Sequence, residues 1–114
     1  MSTQSPQASF KYAAEGILHC FRTQKHMQIH FLMLVLVLVS GLMLALDPRD
    51  MVLLLFAITL VIAMEMVNSA VEAVVDMVAT SYSAAAKLAK DVAAGAVLIA
   101  SVNAVISGIV IFFG

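Results

Sequence analysis

Charge is scarce in this chain: only 11% of its 114 residues are Asp, Glu, Lys or Arg, against roughly 25% in an ordinary soluble domain. A water-facing globule of this size has too much surface to cover with so few charges, which excludes an ordinary soluble domain. The length allows one domain. Cys20 is the single cysteine, so an internal disulfide and a Cys-based metal site are excluded, and the thiol reads as a small apolar filler at a membrane edge. Tryptophan is absent, which leaves interfacial anchoring to Tyr12, Tyr82, Phe10 and Phe21. The net charge of −1 comes with no basic stretch able to neutralise a run of phosphates, which excludes nucleic acid as a partner. Residues 1–10 contain no apolar core like that of a secretory signal, so the N-terminus is expected to be retained. No long internal repeat is present.

What is abundant is hydrophobic side chains, 63% of the total, and they fall into blocks. Residues 1–9 are polar, contain Pro6, and read as a flexible tail. From Phe10 to about Met27, apolar residues recur at helical spacing, with Ala14, Ile17, Leu18 and Phe21 sharing a face and Glu15, His19, Arg22 and Lys25 lying largely elsewhere. That pattern predicts an amphipathic helix on a membrane surface. Residues 29–46 carry only His30 and Ser40 as polar side chains, a first span. Asp47-Pro48-Arg49-Asp50 is a turn signature that sends the chain back antiparallel. A second span is expected over 51–79; after the polar break Thr80-Ser81-Tyr82-Ser83 a third helix begins near Ala84, with its span over about 91–113. The fold class is therefore all-α integral membrane, one surface helix plus three transmembrane helices. Lys11, Arg22 and Lys25 precede the first span and Lys87 and Lys90 the third, whereas only Arg49 lies in the other loop. This bias predicts a cytoplasmic N-terminus and second loop.

The second span turns polar at its end, with Glu65, Asn68, Glu72 and Asp76. At 100° per residue, Asn68 lies at about −60°, Glu72 at about −20° and Asp76 at about +20° from Glu65, one stripe of the helix. Each carboxylate within a span costs on the order of 2.5 kcal/mol or more, less near the interface. Three in one stripe repel each other unless protons or cations intervene. A divalent ion answers this, because magnesium takes carboxylate and amide oxygens and keeps waters and phosphate oxygens as further ligands. Lys87, Lys90 and Asp91 reach the same level if the loop folds back, and lysine is a point-charge partner for phosphate. Together they suggest that a phosphorylated, metal-bound substrate meets a lipid at this boundary. A lone acid in a span can be a structural ion pair, and the two lysines can be simple positive-inside anchors. Four polar residues on one stripe are harder to assign to structure alone. His26 and His30 read as interfacial and non-ligating, since no HExxH context surrounds them. Ala96, Ala100, Ala104 and Gly108 form a small-residue stripe that lets helix backbones approach, and oligomerisation is expected.

The segment Glu65-Met66-Val67-Asn68-Ser69-Ala70-Val71-Glu72-Ala73-Val74-Val75-Asp76, followed by Ala89-Lys90-Asp91, closely resembles the signature of the prokaryotic diacylglycerol kinase family, which includes undecaprenol kinases. The pattern E-x-x-N-[ST]-A-[IV]-E-x-x-[VI]-D is long and specific, and the resemblance runs from about residue 8 to 114. Neither GxxxxGK[ST] nor a soluble-kinase Gly-rich loop is present. The resemblance implies a homotrimer in a bacterial inner membrane, with sites shared between subunits, that uses Mg2+ and ATP to phosphorylate a lipid alcohol. It implies Glu65 as general base, Asn68 as its positioning partner and Glu72 as metal ligand. Lys90 and Asp91 match the nucleotide-contacting pair. Tyr12, Gln24, Glu72, Ser81, Tyr82 and Ser83 accompany the nucleotide, with Asp76 and Lys87 in support. Some members have a second metal-binding glutamate where this chain has Gln24, which offers a carbonyl oxygen without charge. The stretch Gln24-Lys25-His26-Met27-Gln28-Ile29-His30 looks more like the Gram-positive and cyanobacterial branch, in which undecaprenol is often preferred.

Two other classes compete. An ion- or proton-coupled transporter subunit also uses intramembrane carboxylates, but a midplane carrier needs its acid near the centre of a span. A purely structural membrane subunit predicts that Glu72→Ala is silent in any assay.

Overall fold

The computed structural model describes residues 5–114, which form four helices and no strand. The first, α1, spans Pro6–Thr23. Ser5 caps it by accepting from the Ala8 amide at 3.2 Å, and Pro6 follows at the first helical position, where a missing N–H costs nothing. The helix thus starts four residues before Phe10, and residues 6–9 of the expected tail are helical; residues 1–4 lie outside the described region. At the other end Gln24 is extended (φ −121°, ψ 119°), and its amide donates to the Cys20 carbonyl at 3.0 Å. The chain turns on that one residue into α2, Lys25–Met43. Lys25, His26 and Met27, expected at the end of the surface helix, instead open the next one. Met27 is fully buried there.

Helix α2 ends three residues before the expected Leu46. The Leu46 amide reaches back to the Gly41 carbonyl (3.0 Å) and the Ala45 amide to the Leu42 carbonyl (3.2 Å), the paired bonds of a Schellman cap. Ala45 occupies the left-handed position, φ 53°, where glycine is usual. A Cβ on Gly41 would meet the Met51 sulfur, so α2 and α3 approach closely at this end. Helix α3 covers Pro48–Val78, three residues earlier than expected, because Asp47 accepts from the Arg49 amide at 2.8 Å and Pro48 fits the first turn. Helix α4 runs Ala84–Phe113, capped by Ser83 on the Ala86 amide at 3.3 Å. Lys87, Lys90 and Asp91 are therefore inside α4, which starts at Ala84 as expected, in the turns before the apolar span.

Helices α2, α3 and α4 are each long and apolar enough to cross a membrane. The most extensive packing is between α3 and α4, then between α2 and α3. The buried apolar set is small: Met27, Leu54, Ala57, Val61, Ile62 and Ala100. Phe21 stacks edge-on against Phe31 with centroids 5.2 Å apart, holding α1 to α2. A hydrocarbon layer of about 30 Å takes about 20 helical residues. Counted from Pro48, that length of α3 ends near Val67. Glu65 then lies at the hydrocarbon edge, and Asn68, Glu72 and Asp76 climb successively out of it. The α1–α2 junction and the loop between α3 and α4 gather at that same end.

Candidate functional site

Glu65 and Asn68 are partly buried, whereas Glu72 and Asp76 are exposed. The stripe expected from helical periodicity is held by different neighbours along its length. At its deepest point, Glu65 Oε1 lies 3.3 Å from His30 Nε2 of α2, with side-chain exposures of 13% and 22%. One turn further on, Ser69 Oγ accepts from Gln24 Nε2 at 2.6 Å and donates to the Glu65 carbonyl at 2.9 Å. A serine hydroxyl has one proton, which goes either to the Glu65 carbonyl or to Gln24 Oε1, also at 2.9 Å. Gln24 is thus brought against α3. The reason lies in the backbone: the residue that breaks the helix between α1 and α2 is free to point its amide across to the neighbouring helix.

Asn68 Nδ2 donates to Glu72 Oε1 at 3.2 Å across one turn. Its other atom, Oδ1, is buried without a partner. A buried acceptor left unsatisfied costs about 1–3 kcal/mol, and an arriving hydroxyl or cation removes that cost. At the top of the stripe, Asp76 Oδ1 pairs with Lys90 Nζ of α4 at 2.7 Å, and Lys87 Nζ pairs with Asp91 Oδ2 at 2.6 Å. The loop folds back and brings Lys90 to the level of Asp76. Asp76, Ser81, Tyr82, Ser83, Lys87, Lys90 and Asp91, with Val75, Ala79 and Ala86, line one open cleft of about 280 Å³. Tyr12 does not line it; its ring is exposed on α1.

No three His, Cys, Asp or Glu side chains converge as an ion cage among the described residues. The oxygen donors of Glu72, Gln24 and the orphaned Asn68 Oδ1 suit a hard cation that draws its remaining ligands from water and phosphate. Two contributors went unassigned in the sequence, His30 and Ser69. Ser69 sits inside the motif, and a small hydroxyl one turn after an acid is a signal for cross-helix bonding. His30 had only a weak signal, a lone imidazole at the mouth of a span. The small-residue stripe also turns inward: Ala100 is buried, and Ala104 and Gly108 line an apolar cleft of about 370 Å³ with residues of α2 and α3.

Comparison with known proteins gives a consistent picture. The sequence model of a family described as prokaryotic diacylglycerol kinase matches residues 11–112. A protein named diacylglycerol kinase from Synechocystis is 43% identical over 101 residues, covering 88% of this chain and 58% of that protein. The undecaprenol kinase of Bacillus subtilis is 34% identical over 104 residues, covering 91% of this chain and 85% of its own length. The diacylglycerol kinase of Escherichia coli is 44% identical over 61 residues, covering 54% of this chain and half of the relative, 50%. The chain thus spans between 50% and 85% of these relatives' own lengths, and 58% of the Synechocystis protein.

Proposed function

The chain belongs to the prokaryotic diacylglycerol kinase family and is a multi-pass membrane protein, and from that premise we propose that it transfers the γ-phosphoryl group of ATP to the hydroxyl of a membrane lipid alcohol. The observation that carries this reading is the polar stripe of α3 meeting the Asp76–Asp91 cleft at one end of three apolar helices. The acceptor is diacylglycerol or undecaprenol, the substrate classes named for the relatives. The family match favours a kinase over a transporter.

Phosphoryl transfer needs positioning and charge stabilisation more than covalent chemistry from the protein. Glu65, at the hydrocarbon edge, accepts the lipid hydroxyl proton as the oxygen attacks the γ-phosphorus. The bond from that phosphorus to the β–γ bridging oxygen breaks, and ADP leaves. Asn68, whose Oδ1 lacks a partner in the chain, helps position the reacting groups beside Glu65, and the single hydroxyl proton goes to Glu65. Glu72, with Gln24 contributing an uncharged oxygen, would hold Mg2+, which when bound neutralises charge on the phosphates. Lys90 and Asp91, with Ser81, Tyr82 and Ser83, hold the nucleotide, supported by Lys87 and Asp76; Tyr12 stands outside that cleft and joins them from α1 of a neighbouring subunit. Lys90 exchanges its Asp76 partner for phosphate as the nucleotide enters. Asp76 stands roughly 16 Å along α3 from Glu65, so a nucleotide anchored at the loop extends its phosphates down the stripe.

The assembly is a homotrimer with sites shared between subunits. The wide exposure of α2, α3 and α4, and the exposed amide of Asn103 within the apolar length of α4, support contact with further copies. The protein sits in the bacterial inner membrane with its N-terminus in the cytoplasm, α1 lies along the membrane surface with its apolar face inward, and the stripe faces ATP. The test is lipid-dependent ADP formation by purified protein in mixed micelles. Glu65→Gln abolishes it while the oligomer stays intact by size-exclusion chromatography. Normal turnover in that variant would remove Glu65 from the base role.

A further inference from the structure

We infer that His30 is a positioning residue for Glu65: its Nε2–H fixes one carboxylate oxygen so that the other faces the lipid hydroxyl. This rests on the kinase reading and adds to it a residue outside the α3 signature.

The geometry supports the role in three ways. First, the 3.3 Å contact joins two partly buried side chains, neither of which has another side-chain bond in the described structure. A carboxylate only accepts, so Nε2 carries the proton in this contact. Second, α2 is registered to α3 by two polar rungs, His30 to Glu65 and Gln24 to Ser69. The second rung uses neither His30 nor the Glu65 carboxylate, so the start of α2 stays in place when the imidazole is replaced. Third, His30 also borders the apolar cleft lined by Met33, Val37, Ile58 and Phe112. The imidazole therefore lies between the acid and an apolar space open to lipid, where it can hold the carboxylate at the hydrocarbon edge.

A glutamate has three side-chain torsions, and holding one oxygen removes most of that freedom. Misplacing a reacting group by about 1 Å costs on the order of a hundredfold in rate. The loss belongs in kcat, because the imidazole touches neither the nucleotide cleft nor its lysines.

The experiment uses the purified full chain in mixed micelles, with short-chain diacylglycerol or short-chain polyprenol as acceptor and Mg·ATP as donor. His30→Leu is expected to lower kcat roughly ten- to hundredfold with KM for ATP nearly unchanged. His30→Gln, which keeps an amide donor at similar reach, restores kcat to within a few-fold, whereas the shorter His30→Asn does not. Wild-type kcat in His30→Leu overturns the inference. So does an equal loss in His30→Leu and His30→Gln, which marks a packing role. If His30→Leu does not fold, the Gln and Asn variants decide, and equal kcat in those two overturns the inference. A wild-type protein without lipid-dependent ADP formation overturns the kinase reading itself, a result distinct from all of these.

Discussion

Replacing Gln24 with glutamate is expected to tighten magnesium binding about tenfold. The Gln24 amide meets Ser69 Oγ at 2.6 Å, and Ser69 lies one turn from Glu72 on α3, a Cβ separation of about 5–6 Å. While Ser69 still holds it, a carboxylate at position 24 stands about 6 Å from an ion held by Glu72, and swinging in to ligate only adds to the gain. Two unit charges at that distance in a solvated setting interact by about 0.7 kcal/mol, and a divalent ion doubles this to about 1.4 kcal/mol. The solvated value is the appropriate one because Glu72 is exposed; a drier site makes the gain larger. About 1.4 kcal/mol is tenfold in affinity. The new carboxylate also accepts from the Ser69 hydroxyl, so the cross-helix contact survives with the proton direction reversed. The assay is lipid-dependent ADP formation titrated with free Mg2+ at saturating ATP. Half-saturation should fall about tenfold in Gln24→Glu and rise in Gln24→Met, which offers no oxygen. An unchanged or higher half-saturating Mg2+ in Gln24→Glu refutes the placement of the metal beside Gln24.

Lys90→Met should raise KM for ATP roughly ten- to hundredfold, the loss of one charge-assisted contact. Its thermal midpoint should hardly move, because the Lys90–Asp76 pair is exposed and such pairs contribute little; a large fall in stability with KM unchanged contradicts the nucleotide role. Ala45→Gly should stabilise the protein by about 0.5–1 kcal/mol in thermal or denaturant unfolding, since the residue stands at φ 53° in the cap that ends α2; a destabilised variant refutes that account. Asn103→Leu should weaken self-association by about 0.6–2 kcal/mol in a detergent-dilution assay if the amide meets a second copy of the chain; unchanged association places Asn103 outside the interface.

Much of this protein is legible without its structure because membranes act through local sequence. Hydrophobic run length counts the spans, and the 100° step of a helix puts Glu65, Asn68, Glu72 and Asp76 on a single stripe before any contact is known. Caps and turns moved the boundaries by several residues. Ser5 and Asp47 accept from amides in the first turns and start helices earlier than hydrophobicity suggests, and the extended backbone of Gln24 splits α1 from α2. The level shared by Lys90 and Asp76 could be anticipated from a loop that folds back, but the individual partnerships between helices could not. His30 meets Glu65, Gln24 meets Ser69, and Lys90 meets Asp76. Each pair brings together residues far apart in the chain, and one extra residue in a turn rotates a following helix by about 100°. Periodicity fixes which side chains share a face, whereas the turns and the packing of α2, α3 and α4 choose what that face meets. The acidic stripe was written in the sequence; the imidazole and the serine that hold it came only with the tertiary fold.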